Sequence, residues 1–256
     1  SDLDGTLLDH DTYSFEAALP ALSILREHGA ALILASSKTA AEIDTLRTEL
    51  KFEHCPAIVE NGAGVLEPGQ TASELGDGTY QDIRAILNEV PERLSQNFEG
   101  FGDCTASRVS SLTGLSLSGA ERAKSRGFSE PGLWTGSQDE KREFLDWLAA
   151  KGLTARQGGR FLTMSFGTTK ADQLFKIASR FAPAPILALG DAPNDIEMLE
   201  AANYAVIVKN EHGSGITELK QETTKSVVRT DDEGPAGWNS AVIATIERLG
   251  LDTFAK

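Results

Sequence analysis

The feature that most constrains this chain is a set of short, wholly apolar runs, each alternating with a helical pattern. Residues 30–35 read Ala-Ala-Leu-Ile-Leu-Ala, 57–59 read Ala-Ile-Val and 186–189 read Ile-Leu-Ala-Leu, with no polar alternation in any of them. A strand that is apolar on both faces needs cover on both, which is the situation of a parallel strand between helices. The intervening stretches supply that cover. Ala18, Leu22 and Leu25 recur at helical spacing within 15–28 and stop at Gly29, and Leu174, Ile177, Ala178 and Phe181 follow Lys170 and stop before Pro183. Thr39 followed by Glu42 predicts a capping box that opens another helix. Alternation of this kind defines an α/β fold, here a Rossmann-like parallel-sheet core.

The rhythm breaks in the middle of the chain. Helical patterns over 80–94 and 119–126 are joined by a capping box at Ser137 and Glu140, ahead of a helix expected to bury Phe144, Leu145 and Leu148. With short strand candidates at 132–135, 154–157 and 161–166, they predict an inserted α+β cap domain. The expected division is 1–75 for the first part of the core, 76–164 for the cap and 165–256 for the rest of the core. Strands at 205–208 and 226–229 and a helix marked by Trp238, Val242, Thr245 and Leu249 complete the core. A length of 256 residues suits one core with a smaller insertion.

Composition narrows the partners. A formal net charge of -14 argues against nucleic acid or an anionic membrane surface, and no basic patch offsets it. The two cysteines, Cys55 and Cys104, have no metal-type spacing, so they read as packing residues in a reduced, cytoplasmic setting. No apolar run is long enough to span a bilayer and no leader pattern opens the chain. Ser1 falls where a buried strand is expected to be under way already, so a short apolar lead-in is expected ahead of it. His10, His28, His54 and His212 lack paired spacing and read as structural or surface residues.

Polar residues gather at the ends of the apolar runs, where open α/β sheets hold their ligands. Asp2 and Asp4 flank Leu3 just before Gly5, Ser36 ends the 30–35 run, Lys170 opens a helix, and Asp191, Asn194 and Asp195 follow the 186–189 run. Each has an ordinary reading on its own: a turn for Asp-Gly, a helix-approach serine, a first-turn lysine, an N-cap aspartate. Their joint occurrence in this order outweighs those readings. Three or four carboxylates brought together repel one another, so a hard divalent ion is implied, and Mg²⁺ suits all-oxygen ligands.

The run Asp2-Leu3-Asp4-Gly5-Thr6, then Ser36, Lys170 and Gly190-Asp191-x-x-Asn194-Asp195, resembles the four motifs of the haloacid dehalogenase superfamily in order. The resemblance implies that Asp2 is a nucleophile forming an aspartyl-phosphate and that Asp4 is the general acid and then base. It implies Mg²⁺ held by Asp2, the Asp4 carbonyl and Asp191, with Asp195 near the metal shell and Asn194 placing ligands. Ser36 would donate to the phosphate and Lys170 would neutralise its charge.

Finer likeness lies in Ser36-Ser37-Lys38-Thr39, Glu60-Asn61-Gly62, Phe128-Ser129-Glu130-Pro131, Gly158-Gly159-Arg160-Phe161 and Gly234-Pro235-Ala236-Gly237-Trp238. These stretches resemble the mannosyl-3-phosphoglycerate phosphatase family, departing from it at Gly127 and at Thr168-Thr169. The likeness implies a small phosphorylated sugar or glycerate as substrate, with Ser37, Lys38, Asn61 and Ser129 lining its site. Arg160 is expected to grip a carboxylate, ahead of Arg126 and Lys38, and Glu60 and Glu130 to accept sugar hydroxyls. Glucosyl-3-phosphoglycerate, sucrose phosphate and a hexose phosphate stand as alternatives.

Overall fold

The structure is a computed structural model that describes residues 1–75, 78–220, 222 and 226–250. The expected boundary between 75 and 76 abuts Gly76 and Asp77, which lie outside the described residues. The chain divides into two compact units, one made of Ser1–Ser36, Arg47–Ile58 and Lys170–Lys256, the other of Ser37–Leu46 and Val59–Thr169. The fold is α/β: a Rossmann-like core carrying an inserted α+β cap.

In the core unit, backbone hydrogen bonds set the strand order. Ile58 N–H donates to the Leu34 carbonyl at 2.7 Å, Ala35 N–H to that of Ser1 at 2.8 Å, and Asp2 N–H to that of Leu189 at 2.9 Å. Leu187–Gly190 then pairs in parallel with Tyr204–Lys209, and that strand pairs in parallel with Ser226–Glu233. The opening residues therefore lie in the middle of the sheet, between two apolar runs read from the sequence. Helix Leu19–Glu27 buries Leu22 and packs on helix Gly234–Arg248, whose Trp238 is fully buried and donates its indole N–H to Ser1 Oγ at 2.9 Å. Helix Lys170–Ala178 buries Leu174 and Ile177, whereas Phe181 beyond its end is exposed.

The inserted unit has a four-stranded antiparallel sheet ordered Phe98–Gly100, Glu130–Trp134, Phe161–Ser165, Thr154–Gly158. Ile83, Leu87, Leu94, Phe144, Leu148, Leu162 and Met164 form its main core, with Leu145 only partly buried. The Ser137–Glu140 capping box is made reciprocally, at 2.8 and 3.2 Å, and opens helix Gln138–Ala150. The helix expected over 80–94 is two pieces, Thr79–Asn88 and Glu92–Ser95, because Pro91 brings no N–H to continue the first. Helix Ala106–Thr113 and strand Phe98–Gly100 carry no clear sequence signal: the helix buries only Val109 and the strand has three residues. Among the described residues no helix is long and apolar enough to cross a membrane.

Candidate active site

Sheet order builds the core site. Asp2 sits on the central segment, and Asp191 and Asp195 follow the neighbouring strand Leu187–Gly190 around the single turn Pro193–Asp195. Lys170 is the first residue of its helix and is buried together with these three aspartates. Its Nζ donates to Asp2 Oδ1 at 2.6 Å and to Asp195 Oδ1 at 2.8 Å. The other oxygen of Asp195 accepts the backbone N–H groups of Asp191 and Ala192, both at 3.2 Å. Asp2, Asp191 and Asp195 each offer an oxygen within 4.8 Å of the others.

Two residues that carried no role in the sequence reading hold Asp191. The Thr6 hydroxyl donates to Asp191 Oδ1 at 2.6 Å, and Asn210 donates to Asp191 Oδ2 at 2.7 Å. Thr6 stands inside the opening motif and could have been picked out there. Asn210 follows strand Tyr204–Lys209, and nothing in its local sequence marks it. Gly5 is required where these groups crowd: its φ is +79°, and a Cβ would fall 2.3 Å from Asn210 Nδ2 and 3.1 Å from Asp191 Oδ2.

Electrostatics show what the cluster lacks. Burial first, and then Asp195 and Asp191, push the Asp2 carboxyl up to about 8, with Lys170 opposing them. Burial also raises Asp191. For Lys170, burial works to lower its value, but Asp195 and Asp2 outweigh it and hold the ammonium firmly charged. Only with all three carboxylates ionised do they leave two negative charges against the one ammonium, and a divalent cation would balance those two and favour the ionised forms. The all-oxygen donor set fits a hard ion of that kind.

The other expected residues fall into separate groups. Asp4 is half-buried in the opening loop, Ser36 is buried just after Ala35, whose isolated bridge to Ile58 is the only β-bridge the expected 30–35 strand makes, and Asn194 is exposed on the turn before Asp195. In the inserted unit, Glu60 is 2% exposed and accepts the N–H groups of Gly127 at 2.7 Å and Phe128 at 3.1 Å and the Ser129 hydroxyl at 2.6 Å. Arg126 lies 3.3 Å from the same carboxylate and donates to Ser129 Oγ at 2.7 Å. Glu60 and Ser129, expected to meet a sugar, are thus occupied with each other and with Arg126. Exposed Ser37 accepts from Arg126 through its carbonyl at 3.4 Å, Lys38 accepts the Glu60 N–H through its own at 2.9 Å, and Asn61 takes a left-handed φ of 59° in the turn that follows. Glu130 is fully buried and accepts from Tyr80 at 2.7 Å, Gly102 N–H at 2.7 Å and Arg84 at 3.2 Å.

Arg160 is exposed at the turn between Thr154–Gly158 and Phe161–Ser165, its guanidinium 5.4 Å from the Phe161 ring centroid. Pairing of Glu130 with Met164 and Gly132 with Leu162 places Arg160 toward the opposite end of strand Glu130–Trp134 from Ser129. Five residues of strand separate those levels, roughly 17 Å.

A parallel α/β core with an inserted α+β unit, and with carboxylates and a lysine converging beyond its strand ends, defines a capped enzyme of the Rossmann-like class. The chain belongs to the haloacid dehalogenase-like hydrolase family, whose model matches residues 1–98 and 138–235. It is 33% identical to a glucosyl-3-phosphoglycerate/mannosyl-3-phosphoglycerate phosphatase of Methanococcoides burtonii, over 96% of each chain. Solved structures with the same fold include a phosphatase of this superfamily from Bacteroides thetaiotaomicron, with a TM-score of 0.67 at 19% identity, covering 98% of this chain and 93% of that one. A sugar phosphatase of subclass IIB aligns with a TM-score of 0.61 at 17% identity, over 98% of this chain and 97% of that one.

Proposed function

We propose that the protein is a Mg²⁺-dependent phosphatase that releases phosphate from mannosyl-3-phosphoglycerate to give mannosylglycerate. The observation that carries the chemistry is Lys170 bridging Asp2 and Asp195 beside Asp191, a buried cluster in which three carboxyl groups face one ammonium. Identity of 33% across 96% of the chain to a phosphatase of glucosyl- and mannosyl-3-phosphoglycerate supports the substrate class.

In this reading Asp2 supplies the nucleophilic oxygen. It forms a bond to phosphorus while the bond from phosphorus to the departing glycerate oxygen breaks, and Asp4 gives that oxygen its proton. Asp4 then takes a proton from water, the water oxygen attacks the acyl phosphate, and the Asp2 carboxylate is restored. Lys170 fixes the direction of Asp2 and balances charge on the transferring group, and Ser36 donates to a phosphate oxygen. Asp2, Asp191, Asp195 and the Asp4 carbonyl would hold the ion, which would supply charge neutralisation for phosphoryl transfer. Thr6 and Asn210 keep Asp191 aimed. Residues 76–164 act as the substrate-selecting cap, where exposed Arg160 takes the substrate carboxylate.

The test is a panel of phosphate esters given to the purified chain with Mg²⁺. Mannosyl-3-phosphoglycerate is expected to show the highest kcat/KM, with glucosyl-3-phosphoglycerate next. A wide preference for sucrose phosphate or a hexose phosphate would remove the proposed substrate and leave the hydrolytic chemistry standing.

A further inference from the structure

His10 and His212 lie 202 positions apart in the sequence, yet the core unit stacks them. Their rings are parallel within 6°, with centroids 4.4 Å apart. Asp11 stands beside them, and the three exposed residues each offer a ligand atom within 4.8 Å of the others. We propose that His10, Asp11 and His212 form a binding site for a divalent transition ion of the zinc type, separate from the buried carboxylate cluster.

The donor set makes the choice of ion. Two imidazoles and one carboxylate suit Zn²⁺ and its neighbours Co²⁺, Ni²⁺ and Cu²⁺, whereas Mg²⁺ and Ca²⁺ favour oxygen throughout. Asp2, Asp191 and Asp195 offer the opposite set, so the core unit sorts the two classes of ion by ligand chemistry.

Both arms of the site are fixed before any ion arrives. Asp9 Oδ1 accepts Asp11 N–H at 3.2 Å, Thr12 N–H at 2.8 Å and the Thr12 hydroxyl at 2.7 Å, which shapes the turn carrying His10 and Asp11. His212 N–H donates to Asn210 Oδ1 at 2.9 Å, and the same Asn210 is tied to Asp191. Zinc at about 2.0–2.1 Å from each nitrogen sets tetrahedral ligands about 3.4 Å apart, so the side chains need close by only an ångström or so. Because an imidazole nitrogen binds in the plane of its ring, ligation also tilts the two rings out of their parallel stack, a side-chain rotation open to exposed residues. Three protein ligands leave the fourth position to water.

The test uses the full chain without an affinity tag, in excess Mg²⁺ so that the carboxylate cluster is occupied, titrated calorimetrically with Zn²⁺. Co²⁺ absorption in the visible reports the ligand geometry independently. One Zn²⁺ per chain is expected to bind at micromolar concentrations. Loss of an outer-shell partner weakens a metal site by about 10–100-fold, so His10→Ala and His212→Ala are each expected to weaken binding by at least roughly tenfold. Thermal melts of both variants are expected to match the parent, because both side chains are at the surface. His54→Ala, elsewhere on the surface, is expected to bind like the parent. Absence of Zn²⁺ uptake by the parent, or unchanged affinity in both histidine variants, would overturn the proposal.

Discussion

Two buried carboxylate centres in this molecule look alike and are built for different ends. In the inserted unit, Glu60 meets Arg126, two backbone N–H groups and a serine hydroxyl, so its charge is balanced and its oxygens are occupied. In the core unit, Asp2, Asp191 and Asp195 share one lysine, and burial pushes the Asp2 carboxyl up to about 8. Burying a charge is expensive unless it is paired, and a centre that stays underpaired is maintained for something it binds or does. The comparison teaches that exposure and residue type do not separate a paired carboxylate centre from an underpaired one. The balance of charge and hydrogen bonds does.

The largest effect tests the underpaired centre. Asp2→Asn removes the attacking oxygen while keeping shape, and kcat is expected to fall by at least about a thousandfold. Steady-state release of inorganic phosphate checks this, with folding verified by circular dichroism. Turnover within tenfold of the parent would place the nucleophile elsewhere.

The balanced centre predicts the reverse pattern. Glu60→Ala strands Arg126 and the N–H groups of Gly127 and Phe128, and breaking a buried pair in this way costs about 3–5 kcal/mol. Trp134 and Trp147 lie in the inserted unit, so their fluorescence follows its urea unfolding, which is expected to shift to lower denaturant. Hydrolysis of a small aryl phosphate by the folded variant is expected to change only a few-fold. A collapse of kcat with unchanged stability would make Glu60 part of the working site and end the contrast between the two centres.

Legibility in the sequence followed the same divide. The core strands at 57–59 and 187–190 could be read because their apolar runs are unbroken, whereas the equally apolar 30–35 run makes only the Ala35–Ile58 bridge. The core site could be read because its chemistry-bearing residues sit where those runs end. Asn210 escaped because its partnership with Asp191 is made by the fold alone. In the inserted unit, Glu60 and Ser129 stood out as polar residues in distinctive stretches. Only the structure shows that they face each other, and that the strand register sets Arg160 far along from them. Helix Ala106–Thr113 was missed for want of an apolar stripe, since Val109 is its single buried residue.

Ion binding sharpens the comparison at smaller scale. Mg²⁺ at about a hundred times its Kd stabilises a protein that binds it only when folded by about 2.7 kcal/mol. The parent is therefore expected to melt higher with Mg²⁺ than with a chelator, and Asp191→Asn is expected to lose most of that gain. An undiminished gain in Asp191→Asn would move the ion away from the cluster.

Arg160→Ala is expected to have the smallest effect and bears on the cap alone. Its guanidinium is exposed and stacked near Phe161, so its removal leaves the unit's core intact. If it grips the substrate carboxylate, KM for mannosyl-3-phosphoglycerate should rise about tenfold, about 1.4 kcal/mol, with kcat nearly unchanged. An aryl phosphate has no carboxylate to lose, so its KM should not move. The contrast between the two substrates is the decisive reading, because general damage to the cap would raise both together. Equal rises would assign Arg160 to the surface and pass the carboxylate to the next candidates, Arg126 and Lys38.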